Sequence, residues 1–427
     1  MLFRVIAATT LMVCLAVSAV AADPCWPQWR GADRDGKAIG ANMRTDWEQN
    51  PPQQAWSMEG VGIGYGSMAI VGDRLYTTGY VGKKEMISAV DLASRKVLWK
   101  TPVGEAVDMG QPDWYGSRDT PTVDGQRIYA VASEGAAVCL DLATGKVVWR
   151  KSFAKEFGSG KQAWGYAESP LIDGDVMICT PGSEKALMVA FDKSTGKELW
   201  RTPYGNFGET GKSEAGYSSA IVSNGGGVKQ YVQMTGKGAV GVRAKDGKLL
   251  WHYNKVANGV AVIPTPLVEG DNVFVSSGYQ AGAALLKLGK QGDGVKAEEV
   301  YFLDSKDFQN HHGQMILHEG HVYAGRGHGK GFPVCVELKT GEIKWGEGER
   351  GPGGGSAAVI FVDGHLIFRY QDGVVALIEA TPAAYNLKGT FTPDFTEGPN
   401  WAHPVVCDGK LYLRQKGRIM CFDVAAK

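Results

Sequence analysis

The residues with most chemical capacity in this chain sit in short segments rich in aromatic residues and glycine. Trp114-Tyr115-Gly116-Ser117-Arg118-Asp119 sets a guanidinium beside a carboxylate. Trp164-Gly165-Tyr166-Ala167-Glu168 carries a second carboxylate, and Asn310-His311-His312-Gly313 and Trp401-Ala402-His403 carry imidazoles. Tyr65, between Gly64 and Gly66, and Tyr217, after Gly216, add further rings. Carboxylates, imidazoles, an arginine and aromatic faces converging on one cavity would suit acid–base chemistry, metal ligation or sugar stacking. Adjacent histidines on a strand point to opposite faces, so one of His311 and His312 is expected to serve a given site. The plain alternative is that these groups only solvate a channel mouth. No His-Glu-x-x-His, Walker, dinucleotide, Gly-x-Ser-x-Gly or c-type haem motif occurs, and Asp33-x-Asp35-Gly36 is only a fragment of a calcium loop.

The elements that must position these residues are read from an internal repeat. Cys139-Leu140-Asp141-Leu142-Ala143-Thr144-Gly145-Lys146-Val147-Val148-Trp149 recurs as Ala190 to Trp200, Arg243 to Trp251 and Cys335 to Trp345, and more loosely as Ala89 to Trp99. The closing aromatics Trp56, Trp99, Trp149, Trp200, Trp251, Tyr301, Trp345 and Phe391 recur about every 48 residues, the period of a four-stranded propeller blade. Asp-Gly pairs such as Asp124-Gly125, Asp173-Gly174 and Asp363-Gly364 mark the hairpins between β-rich runs. A tryptophan repeated in nearly every blade reads as packing at the blade edge rather than as a ligand platform. The Asp-x-x-Thr-Gly-Lys turns hold one acid each, too few oxygens for calcium, and read as turn chemistry.

The expected fold is all-β: an eight-bladed propeller over residues 51–427, after an N-terminal extension at 23–50. Residues 402–424 supply only three strands, so Gln53 to Ser57 is expected to complete that blade and close the ring. Segments leading into the innermost strands then border a central funnel. Aligned on the residue opening each inner strand, Asp119, Glu168 and His312 are equivalent on blades two, three and six. Arg118, Tyr217, His311 and Trp401 stand one position earlier. The candidate ligand-binding set is therefore Tyr65, Trp114, Arg118, Asp119, Trp164, Glu168, Tyr217, His311, His312, Trp401 and His403, with no catalytic or metal assignment.

The chain opens with Arg4, the apolar run Val5 to Val20 and the small-x-small pattern Ala19-Val20-Ala21, which predicts a cleaved signal peptide over 1–22 and a periplasmic or secreted protein. No stretch reaches the length of a transmembrane helix. The whole chain has no formal net charge, and the mature chain would carry about −1, which excludes a nucleic-acid partner held by bulk electrostatics. Cys139, Cys335 and Cys421 share one repeat position on blades two, six and eight, none of them neighbours, and are expected as buried free thiols. Cys25, Cys179 and Cys407 are open to disulfide pairing.

The docking pattern Ala-x-Asp-x-x-Thr-Gly-x-x-x-Trp resembles the PQQ repeat over nearly the whole mature chain. Trp26-Pro27-Gln28-Trp29-Arg30-Gly31, Arg34-Asp35-Gly36 and Gly62-Ile63-Gly64-Tyr65-Gly66-Ser67 resemble the opening of exported bacterial PQQ-like, BamB-like propellers. That resemblance implies either a non-enzymatic binding or scaffold protein or a quinoprotein dehydrogenase. The dehydrogenases carry an adjacent cysteine pair under the quinone and insertions that roof it. Neither is present here, so no cofactor is expected and PQQ is disfavoured. The expectation is a monomeric binding or scaffold protein taking a small molecule, glycan or protein at a polar, aromatic-lined funnel. The alternative is a redox or sugar-acting enzyme using the same funnel.

Overall fold

A computed structural model describes residues 25–426. The segment read as a signal peptide lies outside the described residues. Among the described residues, no helix is long and apolar enough to cross a membrane. The described chain forms eight sheets in a ring, each built on four antiparallel strands. Blade one shows the pattern: Ala69–Val71 innermost, then Arg74–Val81, Lys84–Asp91 and Lys96–Glu105 at the outer edge. The described helix is one five-residue turn, Phe153–Phe157, with two 3₁₀ turns.

The last blade closes as the missing strand requires. Val405–Cys407, Lys410–Gln415 and Arg418–Asp423 form three strands, and Gln53–Met58 pairs antiparallel with the third, Trp56 opposite Cys421. Pairing the first strand of the ring with the last removes the exposed edge that an open sheet would present.

The blades are flat sheets with apolar faces, so the core is divided into layers between neighbours. One layer joins blades one and two through Tyr76, Ala89, Ile128 and Val138, and another joins blades two and three through Tyr129, Trp149 and Phe191. The largest lies at the seam, where Trp26, Met43 and Trp47 pack with residues of blades seven, eight and one.

The blade-edge aromatics dock on the next blade. Trp99 Nε1 donates to Leu142 O, Trp149 to Lys193 O and Trp200 to Ala244 O, each in the following blade's turn. Tyr301 keeps this with its hydroxyl, donating to Leu338 O. In those turns the acid acts locally: Asp141 Oδ1 accepts from Thr144 N and Oγ1, and Asp192 Oδ1 accepts from Thr195 N and Oγ1. Cys139, Cys335 and Cys421 are buried free thiols, each paired across the ladder with a second-strand tyrosine. Cys179 is also free and buried, while Cys25 and Cys407 form a disulfide with Cα atoms 5.7 Å apart.

The described part of the N-terminal extension is woven through the ring. Trp26 exchanges backbone hydrogen bonds with Ile70 of blade one, and Val123 N of blade two donates to Pro27 O. Lys37–Ala38 pairs in parallel with Phe361 and Val362 of blade seven, and Met43 bridges to Ala425.

Candidate functional site

Side chains at the inner-strand openings tie the blades together around the axis. Ser67 N donates to Thr120 Oγ1, Thr120 N to Ser169 Oγ and Ser169 N to Ser219 Oγ, stepping from blade one to blade four. Thr265 N likewise donates to Gln314 Oε1, from blade five to blade six. This belt explains the small polar residues, often before proline, that open each repeat. It also fixes the segments just before it at the funnel.

A cavity of about 210 Å³ fills that funnel. Of the eleven candidates, Tyr65, Trp114, Arg118, Trp164, Tyr217, His311, His312, Trp401 and His403 line it. The rings form a wall: Trp114, Trp164 and Tyr217 follow one another with centroids 6.3 and 5.5 Å apart, and Tyr65 lies 4.9 Å from Trp401. The Arg118 guanidinium sits over the Tyr65 and Trp401 rings at 5.6 and 6.0 Å, held by the carbonyls of Gly116 and Trp114.

Asp119 and Glu168 do not face this cavity, which corrects their placement in the candidate set. Successive side chains of an extended segment alternate. Arg118 and Ala167 point inward, so Asp119 and Glu168 point into the walls, 0% and 3% exposed. Glu168 joins blades three and four: it accepts from Thr180 N and Oγ1 at 2.7 Å and from Gln233 Nε2 at 3.1 Å. Asp119 lies beside Glu85 and the Arg414 charge. Burial pushes both carboxyls up to about 7 and Glu85 well above the ordinary carboxylate range. The opposite correction applies to the paired histidines. Both His311 and His312 line the cavity. The hairpin register and the belt make Gln314 equivalent to Thr120 and Ser169, so His312 corresponds to the inward-facing Arg118 and Ala167 and not, as expected, to Asp119 and Glu168. His311 joins it because residues 310–313 are not a regular strand.

The histidines are neutral. Burial, aided by His312 and His328, lowers His311 to about 2, and burial lowers His312 and His403 to about 3. His403 Nε2 donates to His312 O at 3.2 Å, which leaves its Nδ1 as an unpartnered acceptor. His311 bonds Ser356 Oγ and Tyr279 Oη through its two ring nitrogens. Among the described residues, the only group of three potential metal donors is Cys25, Cys407 and Asp408, whose sulfurs are joined in the disulfide. Among the described residues Arg118 is thus the single charge of the lining, which holds no carboxylate.

Sequence reasoning missed Trp29, Tyr279, Gln314 and Thr265 in the lining. Thr265, before Pro266, is one of the small polar residues of the belt. Trp29 lies in the motif Trp26 to Gly31, but nothing local shows that a segment outside the repeats reaches the axis. Tyr279 sits in a turn with φ +55°, a conformation unusual for tyrosine that no residue type there announces.

A family model described as outer membrane protein assembly factor BamB matches residues 83–347. The chain is 25% identical over 135 residues to the outer membrane protein assembly factor BamB of Burkholderia pseudomallei (strain K96243), covering 31% of this chain and 32% of that protein. It is 26% identical over 226 residues to a quinohemoprotein alcohol dehydrogenase of Pseudomonas putida, covering 49% of this chain and 29% of that one. Among solved structures, BamB from Moraxella catarrhalis superposes with a TM-score of 0.61 at 14% identity, over 87% of this chain and 99% of that one. The quinohemoprotein alcohol dehydrogenase from Comamonas testosteroni gives 0.65 at 12% identity, over 96% and 82%. At these identities the structural likeness is one of fold.

Proposed function

The chain belongs to the propeller family described as outer membrane protein assembly factor BamB, and from that premise we propose that it is an exported binding protein whose funnel holds a small ring-shaped anion. The observation that carries this reading is the lone Arg118 guanidinium in a ring-lined cavity without a carboxylate. A partly desolvated cation without a counter-ion favours an anionic guest. The aromatic faces supply stacking area, and the neutral imidazoles supply acceptors or donors for the guest's rim. The apolar N-terminal run and the Cys25–Cys407 disulfide both suit an oxidising, exported setting.

The donor set speaks for binding over catalysis. Glycoside hydrolysis ordinarily needs two carboxyl groups flanking the bond, and this lining offers neither. A redox quinone, named in two of the relatives, would need a base for the substrate's proton. In the dehydrogenases of this repeat family it also rests on adjacent cysteines. The imidazoles of the lining are neutral but held far below the ordinary histidine range by burial, which makes them weak bases, and every described cysteine lies outside the lining, so the donor set favours binding over that chemistry.

Matched pairs of probes test the reading: benzoate against benzamide, and glucuronate against glucose, by calorimetry at low and high salt. The acid of at least one pair should bind roughly tenfold more tightly than its neutral partner, with the difference lost in Arg118→Met and reduced by salt. Equal affinity within every pair, or a discrimination that survives Arg118→Met, overturns it.

A further inference from the structure

We propose that Trp29 is the specificity-determining floor of the funnel cavity, held in place by the Cys25–Cys407 disulfide. The inference rests on the reading of the funnel as a ligand cavity and concerns what limits its depth. A propeller ring leaves a channel along its axis. Here residues 26–38 cross that channel. Arg34 donates to Ser169 O at 2.8 Å and Pro170 O at 3.1 Å on blade three, and Arg30 donates to Met315 O at 2.7 Å on blade six. The two arginines are 5% and 2% exposed and bond carbonyls on well-separated blades, so the segment is pinned across the axis.

Space on the two sides of this plug is separate. Trp29 lines the funnel cavity. Gln28, Asp33, Arg34 and Lys37 line a second cavity of about 490 Å³, bounded also by inner-strand residues such as Leu171, Ile221 and Leu267. Trp26 and Trp47, in the same stretch of chain, are buried in the seam core and line neither cavity, so Trp29 is the tryptophan there that a guest can touch. Its ring is fixed from two sides. Nε1 donates to Thr265 Oγ1 at 3.2 Å, and the ring meets His403 edge-on with centroids 4.8 Å apart.

The disulfide belongs to the same arrangement. Trp29 lies four residues after Cys25, and His403 lies four residues before Cys407. The Cys25–Cys407 bond and the Trp29–His403 contact are therefore two rungs between the same pair of segments, one covalent and one aromatic. A rigid floor limits how far a ring can enter, and specificity in an apolar cavity comes from such limits.

The test uses free indole as the probe, on the full disulfide-bonded protein. Trp29→Ala removes the floor's indole, and added indole should raise that variant's melting temperature with concentration while leaving the wild type unmoved. Trp29→Phe, which keeps a ring but shortens it, should gain affinity for 2-naphthoate relative to benzoate by roughly fivefold. In parallel, dithiothreitol reduces Cys25–Cys407 to two thiols and is itself oxidised to its cyclic disulfide. Hydrogen exchange at the amides of Gly31, Arg34 and Gly36, all bonded within the plug, should then quicken about tenfold or more, while blade-four strands keep their protection. Cys25→Ser should reproduce this without reductant. A folded Trp29→Ala protein indifferent to indole, or plug amides unchanged on reduction, would each overturn the proposal, as would Trp29→Phe without the gain for naphthoate where the wild type binds benzoate. Indole rescue without any ring-anion binding by the wild type would leave the floor standing and remove only the anion reading.

Discussion

At the scale of single residues, the deciding fact is that one step along an extended chain reverses a side chain's direction. The types at 118–119 and 167–168 were readable from sequence, and so was their nearness to the axis. Which of each pair faces the cavity depends on the phase of the segment before its strand, and only the backbone fixes that. Glu168 shows the consequence. It is a structural carboxyl, sealed between two blades and raised to about 7 mainly by burial. An acid with a raised folded pKa binds more protons folded than unfolded, so its contribution is fully present below the ordinary glutamate range and is lost as pH rises through about 7. Glu168→Gln cannot titrate. Its melting temperature should gain on the wild type's between pH 5 and 8, by the equivalent of about 3 kcal/mol over the full transition. The lowered histidines pull the other way below their ordinary range, but both proteins share them, so the difference isolates Glu168. Parallel curves for the two proteins would place the carboxyl's proton affinity near normal.

At the scale of elements, the turn that docks each blade-edge tryptophan joins a local motif to a long-range contact. The motif was legible because Asp, Thr and Gly satisfy the turn's own backbone wherever it occurs. The partner across the blade was legible only as a recurring ring. Gly196 shows why both are needed: its φ is +68°, and a Cβ there would stand 2.7 Å from the Trp149 ring. Gly174, in the hairpin of the same blade, has φ +60° and nothing within 4 Å. Alanine at either position costs about 1–2 kcal/mol from the left-handed backbone. Gly196→Ala should cost a further 1–3 kcal/mol, roughly, from the displaced indole. Urea midpoints of the two variants measure the difference, and equal losses would mean that the ring yields freely. The axial plug had no such signal. Residues 26–38 have no period and no repeat, and they hold their shape through bonds to blades one, two, three, five, six and seven. A sequence window sees none of these partners.

At the scale of the whole molecule, the problem a ring must solve is its seam. Blade count and strand closure followed from arithmetic on the repeat, since a three-stranded last blade needs a fourth strand from elsewhere. The structure adds two further ties there, the disulfide and the aromatic packing of Trp26 and Trp47 into the seam core. These ties do different jobs. The disulfide constrains the unfolded chain and is worth about 2–5 kcal/mol, and the buried tryptophans fill a core layer. Neither pairs the edge of Arg418–Asp423; only Gln53–Met58 does that. Two truncations separate the roles. A protein starting at residue 51 loses the plug, the disulfide and both tryptophans but keeps the closing strand, so it should melt lower and stay monomeric. One starting at residue 60 also loses the strand and leaves six residues of β-edge unpaired, with Met420 and Phe422 on it. Such an edge templates pairing with another copy, so this second protein should associate, as read by light scattering after size exclusion. If both truncations are monomeric, the strand contributes stability alone and the ring tolerates an open edge. If both associate, the aggregation comes from the exposed seam core, and the strand is not what keeps the molecule single.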